Sequence, residues 1–293
     1  MISILIPTYN YNVSPLVQKL LNQASDVNHP VEILVFDDGS ESFRDENEKL
    51  GQAKEVTYRY FEENLGRSTM RHKLAENAVN NLLLFLDADV LPASTDFLIK
   101  YLEAAKGKEK VVCGGVTYEA KPPRRDKMLR YAYGIERETK SAAIRSKDPH
   151  IIVTANMLIE KELFLRINED LTNFYGEDLL ISCNLKKLDE DVLHIDNPVL
   201  HLGLENSEDF IEKAKSAIRN IVRLENEGKI GSDFISLQRA YIKLKRWGGL
   251  GLFRWMMKQM RAKMQANALS NRPSIFYFNL LRLSYYAELK KNG

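Results

Sequence analysis

The chain has 293 residues, 44% hydrophobic and 28% charged, and its 42 Lys and Arg nearly cancel 40 Asp and Glu to leave a formal net charge of +2. That length calls for one large α/β domain with an appendage or for two domains, and the charge balance excludes a dedicated nucleic-acid binder, whose domain would be strongly basic. Two distant cysteines without metal-ligand spacing, Cys113 and Cys183, exclude a disulfide scaffold and point to a reduced intracellular protein with both thiols in the core.

Strand and helix signals alternate from the first residue. ISILIP reads as a buried strand, and Ser14 followed by Pro15 opens a helix over PLVQKLLNQA. VEILVFDD is a second strand, broken by DGS. VTYRYF is a third, after which NLG turns the chain into the helix RSTMRHKLAENAV, with apolar or small residues at Met70, Leu74, Ala75 and Ala78. NLLLFLD is a fourth strand, and Ser94, Thr95 and Asp96 open the helix FLIKYLEAAK. VVCGGVTYEA reads as another strand. A helix is expected around 126–142, then a strand HIIVTANMLI, a helix beginning at GEDLLISCNLKKL, and a closing segment VLHIDNPVLHLG. From 206 onward the pattern is helical and increasingly basic. The alternation predicts an α/β domain with a largely parallel sheet covered on both faces.

In such sheets ligands bind beyond the carboxyl ends of the strands. That rule gathers Pro7, Thr8, Tyr9 and Asn10 with Asp37, Asp38, Gly39 and Ser40, and with Asp87 and Asp89, on one rim. Two carboxylates two residues apart on an extended chain point the same way. They repel unless a cation or a shared proton relieves them, so Asp87 and Asp89 suggest either a divalent metal or a nucleophile with its acid partner.

SILIPTYN, ILVFDDGS, NLGRSTMRH, LLFLDADV, TANMLIEKELF and YGEDLLISCNL follow one another in the order found in family 2 glycosyltransferases of the GT-A fold. The chain resembles that family over residues 1–203. The resemblance implies a Rossmann-like GT-A catalytic domain over 1–205, with 206–293 a basic, mainly helical region outside the match. It also implies an inverting transferase that moves a sugar from a nucleotide diphosphate donor to an acceptor hydroxyl of a glycan or lipid-linked glycan, with Mn2+ or Mg2+.

By the same resemblance Asp89 holds the metal, joined by His201, and Asp87 contacts the ribose or the metal's surroundings. His194 competes with His201 for the second role, and Val90 stands where relatives often carry a further acid. Asp38 accepts a hydrogen bond from the nucleobase imide, which favours a UDP-sugar because cytosine lacks that N–H. Pro7, Tyr9 and Asn10 form the pocket wall. Asn64, Gly66, Arg67 and Arg71 lie at a helix start facing the nucleotide, with Arg71 in the position of the family's arginine and His72 in place of the usual Asn. Asp178 is the general base with Glu177 beside it, introduced by Tyr175 and Gly176, and Gly115, Asn156 and Met157 line the sugar pocket.

Two other classes fit parts of the sequence. An apolar strand ending in Asp-x-Asp also opens haloacid-dehalogenase-like phosphatases, with Asp87 as nucleophile; Leu91 and the three preceding strands depart from that pattern. A nucleotide-sugar or glycan binding protein without turnover is the other. The C-terminal part stands apart in charge: between Asp233 and Glu288 there are ten Lys and Arg and no acid, so the remainder carries −8, the difference between +2 and +10. Residues 243–264 mix Trp247, Trp255, Leu and Met with cations. As a helix this segment either lies on an anionic membrane surface or packs its apolar face on the catalytic domain. The N-terminal MISILIPTYN has no basic n-region and too short an apolar run for a signal peptide, and no stretch reaches the roughly 18 apolar residues of a membrane span. The expected location is therefore cytoplasmic, free or at the inner face of the membrane.

Overall fold

A computed structural model describes residues 1–27, 29–168 and 176–292. In chain order the elements are β1 (Ile2–Thr8), α1 (Ser14–Ala24), β2 (Val31–Asp37), α2 (Arg44–Glu48), β3 (Val56–Tyr60), α3 (Arg67–Asn77), β4 (Leu82–Leu86), β5 (Val90–Pro92), α4 (Phe97–Ala104), β6 (Val111–Cys113) and β7 (Val116–Thr117). They continue with α5 (Met128–Tyr133), α6 (Ala142–Arg145), β8 (Asn156–Glu160), α7 (Lys161–Ile167), α8 (Glu177–Lys187), β9 (Val192–His194) and β10 (Val199–His201), and end with α9 (Ser207–Asn226), α10 (Ser236–Arg246), α11 (Leu250–Ala268) and α12 (Ile275–Asn292).

Seven strands form one sheet in the order β3-β2-β1-β4-β8-β6-β9. The first four are mutually parallel, with Ile2 to Thr8 in register with Val31 to Asp37 and Ser3 to Leu5 with Leu83 to Phe85. Only β8 runs against its neighbours. The central strands are near-continuous apolar runs because both faces are covered: Ile4, Leu5, Ile6, Leu83, Leu84 and Phe85 are all buried. On one face α3 contributes Met70, Leu74 and Ala75, and Phe164 of α7 packs on Phe85 with ring centroids 4.4 Å apart. Because β2 and β3 extend the sheet to one side of β1 and β4 lies on the other, the connections diverge between β1 and β4. In sheets of this topology the ligand-binding crevice lies there, at the strands' carboxyl ends.

Three local expectations are corrected, and the closing segment is resolved into strands. The strand through VVCGGVTYEA breaks at Gly115, whose φ of +85° suits glycine. Its halves, β6 and β7, enter different sheets. VLHIDNPVLHLG likewise divides into β9 and β10, and the unforeseen β5 completes a second sheet, β5-β10-β7. The strand at HIIVTANMLI begins only at Asn156, and the helix around 126–142 is interrupted into α5, a π-turn at Gly134–Glu138 and α6.

The chain divides into two compact units, and not at the expected boundary of 205/206: Ala120–Arg137 clusters with Leu204–Gly293, while Met1–Glu119 clusters with Glu138–Gly203. In the second unit α5 supplies Leu129 to a core with Phe210, Ala268, Ile275 and Phe278. The buried Glu225 carboxylate of α9 accepts the Tyr286 hydroxyl at 2.6 Å, pairs with Lys290 at 3.1 Å and is contacted by Gln238, so that α9, α10 and α12 share one polar hub.

Truncating Phe164→Ala removes a fully buried ring from the face of the main sheet. The expected loss is about 3–5 kcal/mol of unfolding free energy, measured by urea denaturation. A loss under about 1 kcal/mol would mean that Phe164 does not pack as described.

Candidate active site

Arg71 sits at the centre of the crevice residues. It is 1% exposed, and its guanidinium pairs through Nη2 with Asp87 Oδ1 at 2.5 Å and through Nη1 with Glu177, whose other oxygen accepts the Ser68 hydroxyl. Helix α3 therefore ties the end of β4 to the start of α8. Burial pushes the Asp87 carboxyl up, but Arg71 and the exposed Arg67 outweigh it and hold its pKa below the usual carboxylate value. The expected orientation of Arg71 toward a nucleotide is corrected by these contacts: its charge is turned onto two carboxylates. Arg67, one turn earlier, is the exposed cation near Asp87 and Asp89.

Asp89 meets His201 at the edge of the small sheet. Antiparallel pairing sets His201 opposite Val90, which brings His201 Nε2 within 3.5 Å of Asp89 Oδ2. Leu202 N–H donates to the Asp89 carbonyl at 2.8 Å, and a Cβ on Gly203 would collide with the Asp89 carboxylate, so only glycine leaves that side chain its place. Burial raises the pKa of Asp89, opposed by His201 and reinforced by Asp87. His201 Nδ1 is buried without a hydrogen-bond partner among the described residues. His194 is elsewhere, between Arg145 Nη1 at 2.7 Å and the Pro149 carbonyl at 2.9 Å. Among the described residues no three or more His, Cys, Asp and Glu form a metal-binding group.

Asp178 follows Glu177 in the first turn of α8. Its Oδ1 accepts the Thr154 hydroxyl at 2.6 Å, leaving Oδ2 as the other acceptor. Tyr175, expected to lead into this turn, lies outside the described residues.

The nucleotide-pocket candidates are partly engaged in holding the rim. Asp38 accepts the Leu65 and Gly66 N–H groups at 2.7 and 2.8 Å, and burial raises its pKa while those bonds oppose the rise. Each carboxylate oxygen has a second lone pair, so acceptor capacity remains. Asn10, with φ of +50°, accepts Glu41 and Ser42 N–H at 2.8 and 3.1 Å and braces the loop after β2. Pro7 lies in β1 beyond the part paired with β4, and Tyr9 is 52% exposed at the rim.

The sugar-pocket candidates are corrected. Met157 belongs to the main core. Asn156 is buried, accepting the Tyr101 hydroxyl at 2.6 Å and donating to the Gly115 and Asn197 carbonyls at 2.7 and 2.9 Å. Gly115 backs onto the Arg145 guanidinium. Met157 and Asn156 are thus buried, and Gly115 is half-buried. The buried Cys113 thiol is pushed up to about 12, which excludes it as a nucleophile. Sequence reasoning passed over Ser68, Thr154 and Gly203. Ser68 and Thr154 sat inside quoted motifs, but nothing local indicated what they bond.

Residues 3–167 match the sequence model described as Glycosyl transferase family 2. By sequence, no curated protein is a significant match. Among solved structures, the mannosyltransferase PcManGT from Pyrobaculum calidifontis, in complex with GDP-Man and Mn2+, is similar with a TM-score of 0.65 and 17% identity, over 99% of this chain and 86% of that one. Mannosyl-3-phosphoglycerate synthase from Rubrobacter xylanophilus gives 0.55 at 14% identity, over 78% and 75%. Glucosyl-3-phosphoglycerate synthase from Mycobacterium tuberculosis, in complex with Mn2+, UDP and glucosyl-3-phosphoglycerate, gives 0.52 at 15% identity, over 76% and 79%. At these identities the likeness is one of fold.

Replacing Arg71 by Ala leaves the buried Glu177 carboxylate and the half-buried Asp87 carboxylate without their cation. The expected cost is about 3–5 kcal/mol in urea denaturation, and Arg71→Lys is expected to recover only part of it because one ammonium cannot reproduce the guanidinium fork. A neutral Arg71→Ala would contradict the buried pairing.

Proposed function

The chain belongs to glycosyl transferase family 2, and from that premise we propose an inverting transfer of sugar from a UDP-sugar to a hydroxyl of a glycan or lipid-linked acceptor, with Asp178 as general base. The observation that carries this reading is the proximity of two differently treated carboxylate groups. Asp178 is oriented by Thr154 and adjoins Glu177, which Arg71 joins to Asp87, the residue two before Asp89. The carboxylate read as the base and the residues read as the anion site are thus tied to one another.

Asp89 and His201 are the chain's own candidates for a divalent cation. An oxygen and an imidazole nitrogen suit Mn2+ better than Mg2+, which prefers oxygen ligands throughout, and a desolvated carboxylate whose pKa is raised gains from a cation beside it. Two protein donors are too few for a closed site, so the diphosphate oxygens of the donor would supply further ligands. When bound, the ion supplies positive charge at the diphosphate as the sugar bond breaks. The protein's residues do the rest. Arg67 and the first N–H groups of α3 attract the diphosphate. Asp87, held by Arg71, presents an acceptor oxygen to the ribose hydroxyls. Asp38 accepts the base imide N–H, a donor that uracil and guanine carry and cytosine lacks. Asp178 takes the acceptor's proton as the acceptor oxygen bonds to the anomeric carbon and the diphosphate leaves from the opposite side. Thr154 keeps the carboxylate turned for that step.

A nucleotide-release screen of UDP- and GDP-sugars with Mn2+ tests the reaction and narrows the sugar. UDP with Mn2+ is expected to raise the melting temperature, and Asp89→Ala to remove the metal-dependent part; a shift with GDP alone would replace uridine in this reading, and no shift with any nucleoside diphosphate would sink it.

Asp178→Asn is expected to keep UDP binding while lowering kcat by roughly 10²–10⁴-fold. Thr154→Val is expected to lower kcat about tenfold through the lost bond to a charged group. Unchanged turnover in Asp178→Asn removes Asp178 as the base. Donor binding with neither transfer nor donor hydrolysis in the native protein would instead favour a binding module.

A further inference from the structure

The second unit carries a surface that the transfer reaction does not use. At the corner between α10 and α11, Trp247 is 72%, Leu252 71% and Trp255 62% exposed. They are not stray residues of an unburied helix, because α11 already buries Phe253, Met257, Met264 and Ala268 along its opposite face. Leu252 and Trp255 are neighbours on one face at a spacing of three, and Trp247 precedes them across the tight turn at Gly248 and Gly249. Around this apolar tip stand the exposed Lys243, Lys245, Arg246 and Lys258, with Lys243 Nζ 4.8 Å from the Trp247 ring centroid. No acid occurs from residue 234 to 287, so no carboxylate within the segment neutralises these cations.

Large apolar side chains clustered in water indicate a surface that something covers. Here the covering surface must accept indole rings and a ring of cations together. We propose that this corner docks on an anionic lipid bilayer, with Trp247, Leu252 and Trp255 at headgroup depth and the surrounding Lys and Arg on the lipid phosphates. Indole suits that depth because one edge is apolar and its N–H can meet a headgroup or water. The cations gain from the negative surface potential of such a leaflet. Among the described residues no helix is long and apolar enough to cross a membrane, and a surface contact needs none. The inference concerns this surface alone and stands independently of the donor and base assigned above.

Trp247 and Trp255 are the chain's only tryptophans, so intrinsic fluorescence reads the proposed contact directly. The full chain is mixed with vesicles of phosphatidylcholine, or of phosphatidylcholine with about one-third phosphatidylglycerol. A blue shift of emission together with co-sedimentation is expected on the anionic vesicles only, and high salt is expected to reverse both. Changing Lys243, Lys245 and Arg246 together to Gln is expected to lower the partition coefficient on the order of a hundredfold. Because all three are exposed, the circular dichroism of that variant should be unchanged. Leu252→Ser is expected to weaken binding without altering its salt dependence. The proposal is overturned by absence of shift and co-sedimentation on anionic vesicles at low salt, or by full binding of the triple variant. A blue shift that grows with protein concentration without lipid also overturns it, since a second copy would then cover the corner.

Discussion

A buried guanidinium with two carboxylates organises the catalytic unit. Arg71 has left water to pair with Asp87 and Glu177, and such a cluster is tolerated only while all partners remain, since removing one leaves uncompensated buried charge. The three residues come from α3, the loop after β4 and the first turn of α8. Segments more than a hundred residues apart are thereby held at the mouth of one crevice. Ser68, one turn before Arg71, adds a hydroxyl to Glu177 and leaves Glu177 more a structural member than a free acid.

That cluster separates the fates of two aspartates two residues apart. Asp87 is compensated by protein cations and its pKa falls; at Asp89 burial outweighs His201 and Arg67 and the pKa rises. One carboxylate is compensated within the fold. Around the other the backbone is closely fitted, as the collision that any Cβ on Gly203 would cause shows. The phosphatase reading fails at the same point, because Asp87 engaged with Arg71 is poorly placed to act as a free nucleophile.

The second unit follows a different logic. Its helices are joined by aromatic contacts and by one buried carboxylate, with Tyr241 on Tyr286 at 5.2 Å and Tyr286 on Glu225 at 2.6 Å. No acid occurs between Asp233 and Glu288, which leaves α10 and α11 purely basic. Helix α11 packs Phe253 and Met257 inward and leaves Trp255 exposed on its other side.

Much of the first unit was legible in the sequence. Strand β1, strand β2, strand β4 and helix α3 announced themselves by apolar runs and a 3.6-residue period, and the Asp87/Asp89 pair by its spacing, because these signals are local. The motif order also indicated the family. What the tertiary structure decided depends on partners far apart in sequence. Strands of three residues, β5 and β10, are too short to show a period, yet their pairing sets His201, and not His194, beside Asp89. Arg67 and Arg71 share a helix and differ only in which way burial turns them. Asn156 looked like a pocket residue, but carbonyls from two other strand junctions claim its amide. The segment 120–137 joined the C-terminal helices because Leu129 finds its core there. Residue type and spacing determine which chemistry the chain carries; which groups remain free to perform it is settled only when distant polar atoms compete for the same buried partners.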